Sequence, residues 1–205
     1  MVNDKSDPVY LQDGPASPRI DVYGLLAALL SRPPSEDRLE QMTNIDRHPD
    51  IPPSLRRAVQ AIKTAADRTD VKSAAREYQA LFEGLGRGQV VPQASWYVEN
   101  RLQQVPPVPL PDHLKALHIE RGGGACGPED HAAALCEVMV LLIANPRIPI
   151  PDKAAFFNTQ LAPWMPLFFA DLQDAPAANF YRAVGQLGAL FMQMEKDLLQ
   201  ERVNG

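Results

Sequence analysis

Apolar residues recur at helical spacing through most of this chain, and proline pairs interrupt the pattern at intervals. In RIDVYGLLAALLSRPP, which begins at Arg19, the apolar side chains share one helical face: Ile20, Tyr23, Leu26, Ala27 and Leu30. Pro33-Pro34 ends this helix, because proline has no N–H to donate and its ring clashes with the preceding turn. Similar stripes follow Pro52-Pro53 and Asp70, and both Ser35 and Asp70 are placed to cap a helix. Such a chain buries its apolar stripes by packing helices on helices.

The same pattern argues against strands, because apolar and polar residues nowhere alternate over a sustained run with turn dipeptides. Residues 89–111, QVVPQASWYVENRLQQVPPVPLP, predict a loop with one short helix, and helical patterns resume over 112–120, 128–144, 152–161, 166–174 and 177–202. We predict an all-α fold, a single-domain helical bundle of about eight to ten helices. Residues 1–18 predict a flexible N-terminal segment, and 19–205 the helical domain.

The charge and hydropathy of the chain exclude several classes of protein. Its net charge is -5 with a pI near 5.4, and it has no basic stripe, so a nucleic-acid partner is not expected. An acidic surface favours basic partners instead. The sequence shows neither a secretory signal nor the roughly 18 consecutive apolar residues that a membrane span needs. With two cysteines that cannot pair if they share one helix, we expect a cytoplasmic protein.

An unusual stretch begins at residue 124, GACGPEDHAAALCEVMVLLI, where glycines and two acids precede an almost wholly apolar run. Pro128 suits the first position of a helix, and Glu129 and Asp130 then occupy the first turn, where the helix dipole favours acids. His131 falls one turn before the buried Leu135. Helix capping beside a half-buried histidine explains these residues, but so does an acidic patch at the edge of an apolar groove.

Metal-binding and catalytic patterns are weak. His113 and His118 lie about 140° apart on a helix, and no His, Cys or Asp cluster has ligand spacing, so we expect no metal. There is no G-x-S-x-G motif and no Cys/His pairing. The alternative to a non-enzymatic protein is an all-α metal-dependent hydrolase that uses Asp130 and His131, with further ligands from His113, His118 or Glu137. A helical interaction scaffold is a third possibility.

Trp96 and Tyr97 stand in the proline-rich segment VPQASWY. They suit two roles equally well: core aromatics that hold the loop, or anchors for a bound peptide.

Several motifs, in this order, resemble the TorD/DmsD/NarJ family of redox-enzyme maturation chaperones. They are the early helix that ends in a proline pair, the EYQALFEGLGRG helix end, the VPQASWY segment, GPEDH, and the C-terminal LAPWMPLFFADL and NFYRAVGQLGALF helices. GPEDH resembles the family signature Glu-Pro-x-Asp-His. The first acid of that signature is Gly127 here, and Glu129 replaces its charge from another direction.

The resemblance implies a non-enzymatic cytoplasmic chaperone for the catalytic subunit of a molybdenum oxidoreductase. Such a chaperone binds the subunit's twin-arginine leader, delays export and assists cofactor insertion. It implies no cofactor of its own beyond a transient contact with the client's molybdopterin, and either a monomer or a helix-exchanged dimer. By carry-over, the peptide-binding residues are Trp96, Tyr97, Pro128, Glu129, Asp130 and His131.

Overall fold

The computed structural model of the chain describes residues 12–43, 51–84, 88–99, 112, 114–115 and 129–204. Within these ranges it contains nine α-helices and no strand, which confirms the all-α prediction. We number them α1 to α9: Pro18–Ser31, Glu36–Thr43, Pro53–Asp67, Val71–Tyr78, Ala94–Tyr97, Ala132–Ala144, Ile150–Phe156, Met165–Asp174 and Phe180–Asn204. Helices α4 and α7 continue into π-helical turns at Gln79–Glu83 and Phe157–Leu161.

Capping residues set the helix boundaries as the sequence predicts, with one exception. The Asp70 carboxylate accepts a hydrogen bond from the Ser73 N–H at 2.9 Å, and the Ser35 hydroxyl accepts one from the Arg38 N–H at 3.3 Å. The predicted start of α6 at residue 128 is wrong, because Glu129 and Asp130 form a turn and the helix begins at Ala132.

The core is built around α1 and α6, which pack against each other along their lengths. Each buries residues on more than one side. The fully buried ones in α1 include Tyr23, Leu26, Leu29 and Leu30, and those in α6 include Leu135, Cys136, Met139, Leu142 and Ile143. A helix that is apolar nearly all round must be enclosed by others, so this pair forms the centre of the molecule.

The long last helix, α9, closes the core by packing on α8 and α3. Gly188 faces the ring of Phe169 so closely that a Cβ atom there would overlap it. The start of α9 is held by Glu77 of α4, whose carboxylate accepts hydrogen bonds from the N–H groups of Asn179, Phe180 and Tyr181 at 2.7, 3.1 and 2.7 Å. A carboxylate at this end of a helix satisfies free donors and complements the dipole.

A buried ionic network ties the first described residues to the last helix. The guanidinium of Arg19 donates to both oxygens of Glu195, at 2.6 and 2.8 Å, and Tyr23 donates to the same carboxylate at 3.0 Å. Asp13 accepts from Arg19, from Lys153 at 2.8 Å and from Arg202 at 3.2 Å. Asp13 belongs to the predicted flexible segment 1–18, whose residues 1–11 lie outside the described part. The division at residue 18 stays a prediction.

The electrostatics of this network favour its charged form. Burial opposes the charge on Arg19, but the adjacent Glu195 carboxylate raises the pKa of Arg19 overall. For Asp13, burial alone would raise the pKa, yet the hydrogen bond from Lys153 and the charges of Arg19, Lys153 and Arg202 lower it. A buried ion pair of this kind is costly to break on one side, because the remaining charge is left without a partner.

We expect Glu195→Leu to lower the free energy of unfolding by about 3 kcal/mol, since it removes the bidentate partner of the buried Arg19 guanidinium and leaves Asp13 as its remaining counter-charge. Adding Arg19→Met should recover a large part of that loss, because an apolar pair of similar volume replaces the ion pair. Urea unfolding of the wild type, both single variants and the double variant measures the coupling. A double variant no more stable than Glu195→Leu would contradict this account.

Candidate functional site

The structure brings together the two segments that the sequence singles out, residues 92–97 and 129–131. Gln93 and His131 form an isolated antiparallel bridge. The Ala94 N–H donates to the Asp130 carbonyl at 3.0 Å, and the Ala132 N–H donates to the Pro92 carbonyl at 2.9 Å. Main-chain hydrogen bonds therefore fix the start of α5 beside the start of α6.

Asp130 adds a side-chain link across this junction. Its Oδ2 accepts a hydrogen bond from the Ser95 N–H, 35 positions earlier in the chain, at 2.8 Å. Ser95 lies in the first turn of α5, whose own N-cap residue, Gln93, makes no side-chain cap. Asp130 thus caps α5 from another part of the chain, and this contact explains why it is not in the first turn of α6. The residue is only half-buried, and its Oδ1 accepts no hydrogen bond from the residues that the structure describes.

His131 is the N-cap residue of α6. Its backbone is extended, with φ -73° and ψ 137°, and its Nδ1 accepts a hydrogen bond from the Ala133 N–H at 3.1 Å. This bond requires a neutral ring with the proton on Nε2, which becomes the available donor. Burial lowers the pKa of His131 and outweighs the opposing effect of the Asp130 charge, so the ring is neutral at pH 7.

The two aromatic residues of α5 occupy different environments. Tyr97 is fully buried, with ring centroids 5.5 Å from Trp164 and 6.2 Å from Phe168, and its hydroxyl donates to Asp171 at 3.0 Å. It anchors α5 to the core, one of the two roles that the sequence allows. Trp96 is half-buried and packs at the edge of the core, so it is the aromatic that retains exposed surface here.

The remaining predicted site residues are divided by the described ranges. Glu129 is exposed beside Asp130. Pro128 lies outside the described residues, as do Gly127, His113 and His118. In the part of the chain that the structure does describe, no three His, Cys, Asp or Glu side chains are grouped to hold a metal ion.

The sequence missed Ser95 and Asp171, the residues that hold Asp130 and Tyr97 in place. Ser95 contributes only its main-chain N–H, so its side chain gives no signal of the contact. Asp171 lies 74 positions from Tyr97, within the α8 helix. Its position between Ala170 and Leu172, directly after the apolar run of MPLFFADLQD, is the one sign in the sequence that it pairs with a buried polar group.

Comparison with known families decides what kind of protein carries this junction. The family model described as nitrate reductase delta subunit matches residues 48–170, a range that includes both segments of the site. The chain belongs to this family. Its members are TorD/NarJ chaperones of molybdoenzymes, as the resemblance of the motifs predicts.

Individual relatives extend the match over most of the chain. The TorD chaperone protein of Aliivibrio fischeri is 22% identical over 202 residues, which cover 88% of this chain and 94% of that protein. The TorD chaperone protein of Vibrio cholerae is 22% identical over 205 residues, which cover 90% and 93%. These relatives are named chaperones, and the family is non-enzymatic, which favours the chaperone prediction over the metal-dependent hydrolase.

None of the described helices combines the length and the apolar character that crossing a membrane requires.

The lowered pKa of His131 makes a prediction about pH. A histidine whose pKa is lower in the folded state than in the unfolded chain contributes stability above the unfolded pKa, about 6.5, and that stability is lost as the pH falls through the folded value. Protonation also removes the Nδ1 acceptor that caps α6. We therefore expect the wild type to lose more thermal stability than His131→Asn between pH 7.5 and pH 5.5, since asparagine caps without titrating.

Thermal unfolding followed by circular dichroism at the two pH values measures this difference. An NMR titration of the His131 ring checks the sign independently. Equal losses of thermal stability in the wild type and His131→Asn, or a His131 pKa above 6.5, would show that titration of the cap does not cause the pH dependence.

Proposed function

We propose that this chain binds the twin-arginine leader of a molybdenum oxidoreductase's catalytic subunit through the junction of α5 and α6. Held there, the subunit stays in the cytoplasm until its cofactor is inserted and it is folded for export. The observation that carries the proposal is the half-buried Asp130 carboxylate, with Oδ2 fixed by the Ser95 N–H and no described partner for Oδ1.

A carboxylate held in this way suits an arginine. Its position is set by the protein before the ligand arrives, so less conformational entropy is lost on binding. Charge-assisted hydrogen bonds from guanidinium to carboxylate are roughly twice as strong as those between neutral groups. Glu129, the preceding residue, is exposed and adds a second negative charge for the second arginine of the leader.

Trp96 and His131 supply the rest of the proposed contact. The exposed part of Trp96 offers a rigid apolar surface for the apolar segment that follows the arginines in a leader. The neutral His131 offers its Nε2–H to a main-chain carbonyl of the peptide, while Nδ1 remains bound to Ala133. Tyr97 acts from beneath, by holding α5 against Trp164 and Phe168. Pro128 and any contact with the client's molybdopterin remain predictions from the family resemblance.

The net charge of -5 also supports a cationic ligand, because an acidic surface raises the association rate of a basic peptide at low salt.

Asp130→Asn and Asp130→Ala separate binding from structure. Asparagine keeps an oxygen that can accept from the Ser95 N–H but loses the charge, so we expect about tenfold weaker leader binding with little change in melting temperature. Alanine loses both, and should additionally cost about 0.5–2 kcal/mol of stability through the lost cap. Titration calorimetry with synthetic leader peptides of molybdoenzyme subunits from the same genome, and thermal unfolding, give the two readouts.

Two controls sharpen the measurement. Glu201→Gln removes one negative charge from an exposed position on α9 and should leave leader affinity unchanged. A leader with both arginines replaced by lysine keeps the charge but loses the planar, two-pronged geometry, and should bind the wild type more weakly. If Asp130→Asn binds the leader as tightly as the wild type, Asp130 is a structural cap alone and the leader site lies elsewhere.

A further inference from the structure

A second surface feature lies on α3 and shares no residue with the junction of α5 and α6. It is an open groove of about 460 Å³ whose lining includes Arg57, Gln60, Ala61, Thr64, Arg68 and Asn179. The residue spacing along α3 explains its shape. Positions 57, 61, 64 and 68 follow one another at helical intervals, so their side chains share one face. The small side chain of Ala61 leaves this face hollow, and Asn179 forms a wall just before α9.

Positive charge stands at both ends of the groove. Arg57 and Arg68 are exposed and separated by 11 residues, or about 16 Å along the helix axis. Neither guanidinium forms an ion pair with another residue in the ranges that the structure describes. Asp70, close in sequence to Arg68, turns its carboxylate to the N–H and hydroxyl of Ser73 at 2.9 and 2.7 Å. Asp67, the other acid close to Arg68, directly precedes it in the sequence.

The groove between the arginines offers hydrogen bonds as well as charge. Gln60 and Thr64 lie one turn apart on α3, where the Thr64 hydroxyl donates to the Gln60 carbonyl at 2.9 Å. The Thr64 hydroxyl also accepts from the Gln60 side chain at 3.5 Å, and Asn179 is a third neutral polar residue in the lining.

The separation of the charges indicates the kind of ligand. Two guanidiniums about 16 Å apart along the helix do not converge on one phosphate group, which is bound most tightly by donors that cluster around it. An extended peptide advances about 3.3 Å per residue and places alternate side chains on the same side, so carboxylates at positions i and i+4 lie about 13 Å apart on one face. The long, flexible arginine side chains can cover the difference between these two separations, about 16 Å and about 13 Å.

We propose that this groove binds an extended acidic peptide segment that carries carboxylates four residues apart. The guanidiniums at its two ends are opposite in charge to the Glu129 and Asp130 carboxylates of the leader site, so an acidic segment is attracted here and repelled there. The two surfaces therefore bind different segments of polypeptide. This second site does not depend on the leader site, and its test uses no leader.

The probe is a fluorescein-labelled ten-residue peptide of Ser and Thr with Glu at positions 4 and 8. Its binding to the full chain is followed by fluorescence anisotropy at low salt. We expect Arg57→Ala/Arg68→Ala to weaken binding about tenfold, as expected for the loss of two exposed ion pairs. The matched control is Arg32→Ala/Arg147→Ala, which removes two other exposed arginines and should retain wild-type affinity. Thermal unfolding of both double variants shows that each is folded.

A second peptide of identical composition, with the two Glu residues adjacent, tests the spacing and should bind severalfold more weakly than the first. Equal affinity for the two peptides would overturn the proposal, as would equal binding by the Arg57→Ala/Arg68→Ala variant and the wild type. Inorganic phosphate or ATP that binds the groove more tightly than the peptide, and loses affinity in the same variant, would assign the groove to a phosphate ligand instead.

Discussion

The pairing of Arg19 with Glu195 is the interaction on which the arrangement of the helices depends most directly. Both side chains are almost completely buried, and Arg19 is the one cation that pairs with Glu195 among the residues that the structure describes. The two hydrogen bonds between them are geometrically strict, so they fix how α1 lies against α9. Since α1 also packs along α6, the same contact links α9 to the central pair of helices.

The junction of α5 and α6 performs its structural task with few side chains. Two main-chain hydrogen bonds join the segments, Asp130 caps α5, and His131 caps α6. The Asp130 carboxylate and the His131 ring thus each cap a helix and also remain partly exposed at the surface. This double use explains why helix capping and ligand binding could both be argued for the same residues from the sequence.

Local features of the fold could be predicted from the sequence because they depend on near neighbours. Apolar periodicity located the helices, and the caps by Ser35 and Asp70 involve residues only three positions away. The start of α6 was misplaced because proline and two acids satisfy the usual rules for a first helical turn. Those rules contain no information about Ser95, whose N–H draws the Asp130 carboxylate away from α6.

Contacts between distant parts of the chain could not be predicted from the residues next to them in the sequence. Nothing in the residues around Arg19 indicates that its partner lies 176 positions later, and nothing around Glu77 shows that it caps α9. For the candidate site, the residues themselves drew attention to the two segments, and the family resemblance assigned both to one peptide-binding site. Whether Tyr97 was buried or exposed depended on Trp164 and Phe168, which only the folded structure brings to it.

The 176-residue separation between Arg19 and Glu195 also bears on how the protein is made. At about 5–20 residues per second, the ribosome needs on the order of ten seconds or more to add the intervening residues. During that interval Arg19 of α1 has Asp13 beside it, but the carboxylate that binds it with two hydrogen bonds has not yet been made. The N-terminal helix therefore cannot complete its buried ion pair until the last helix has been made. A chaperone whose first and last helices are joined by an ion pair is therefore itself incompletely folded until its synthesis ends.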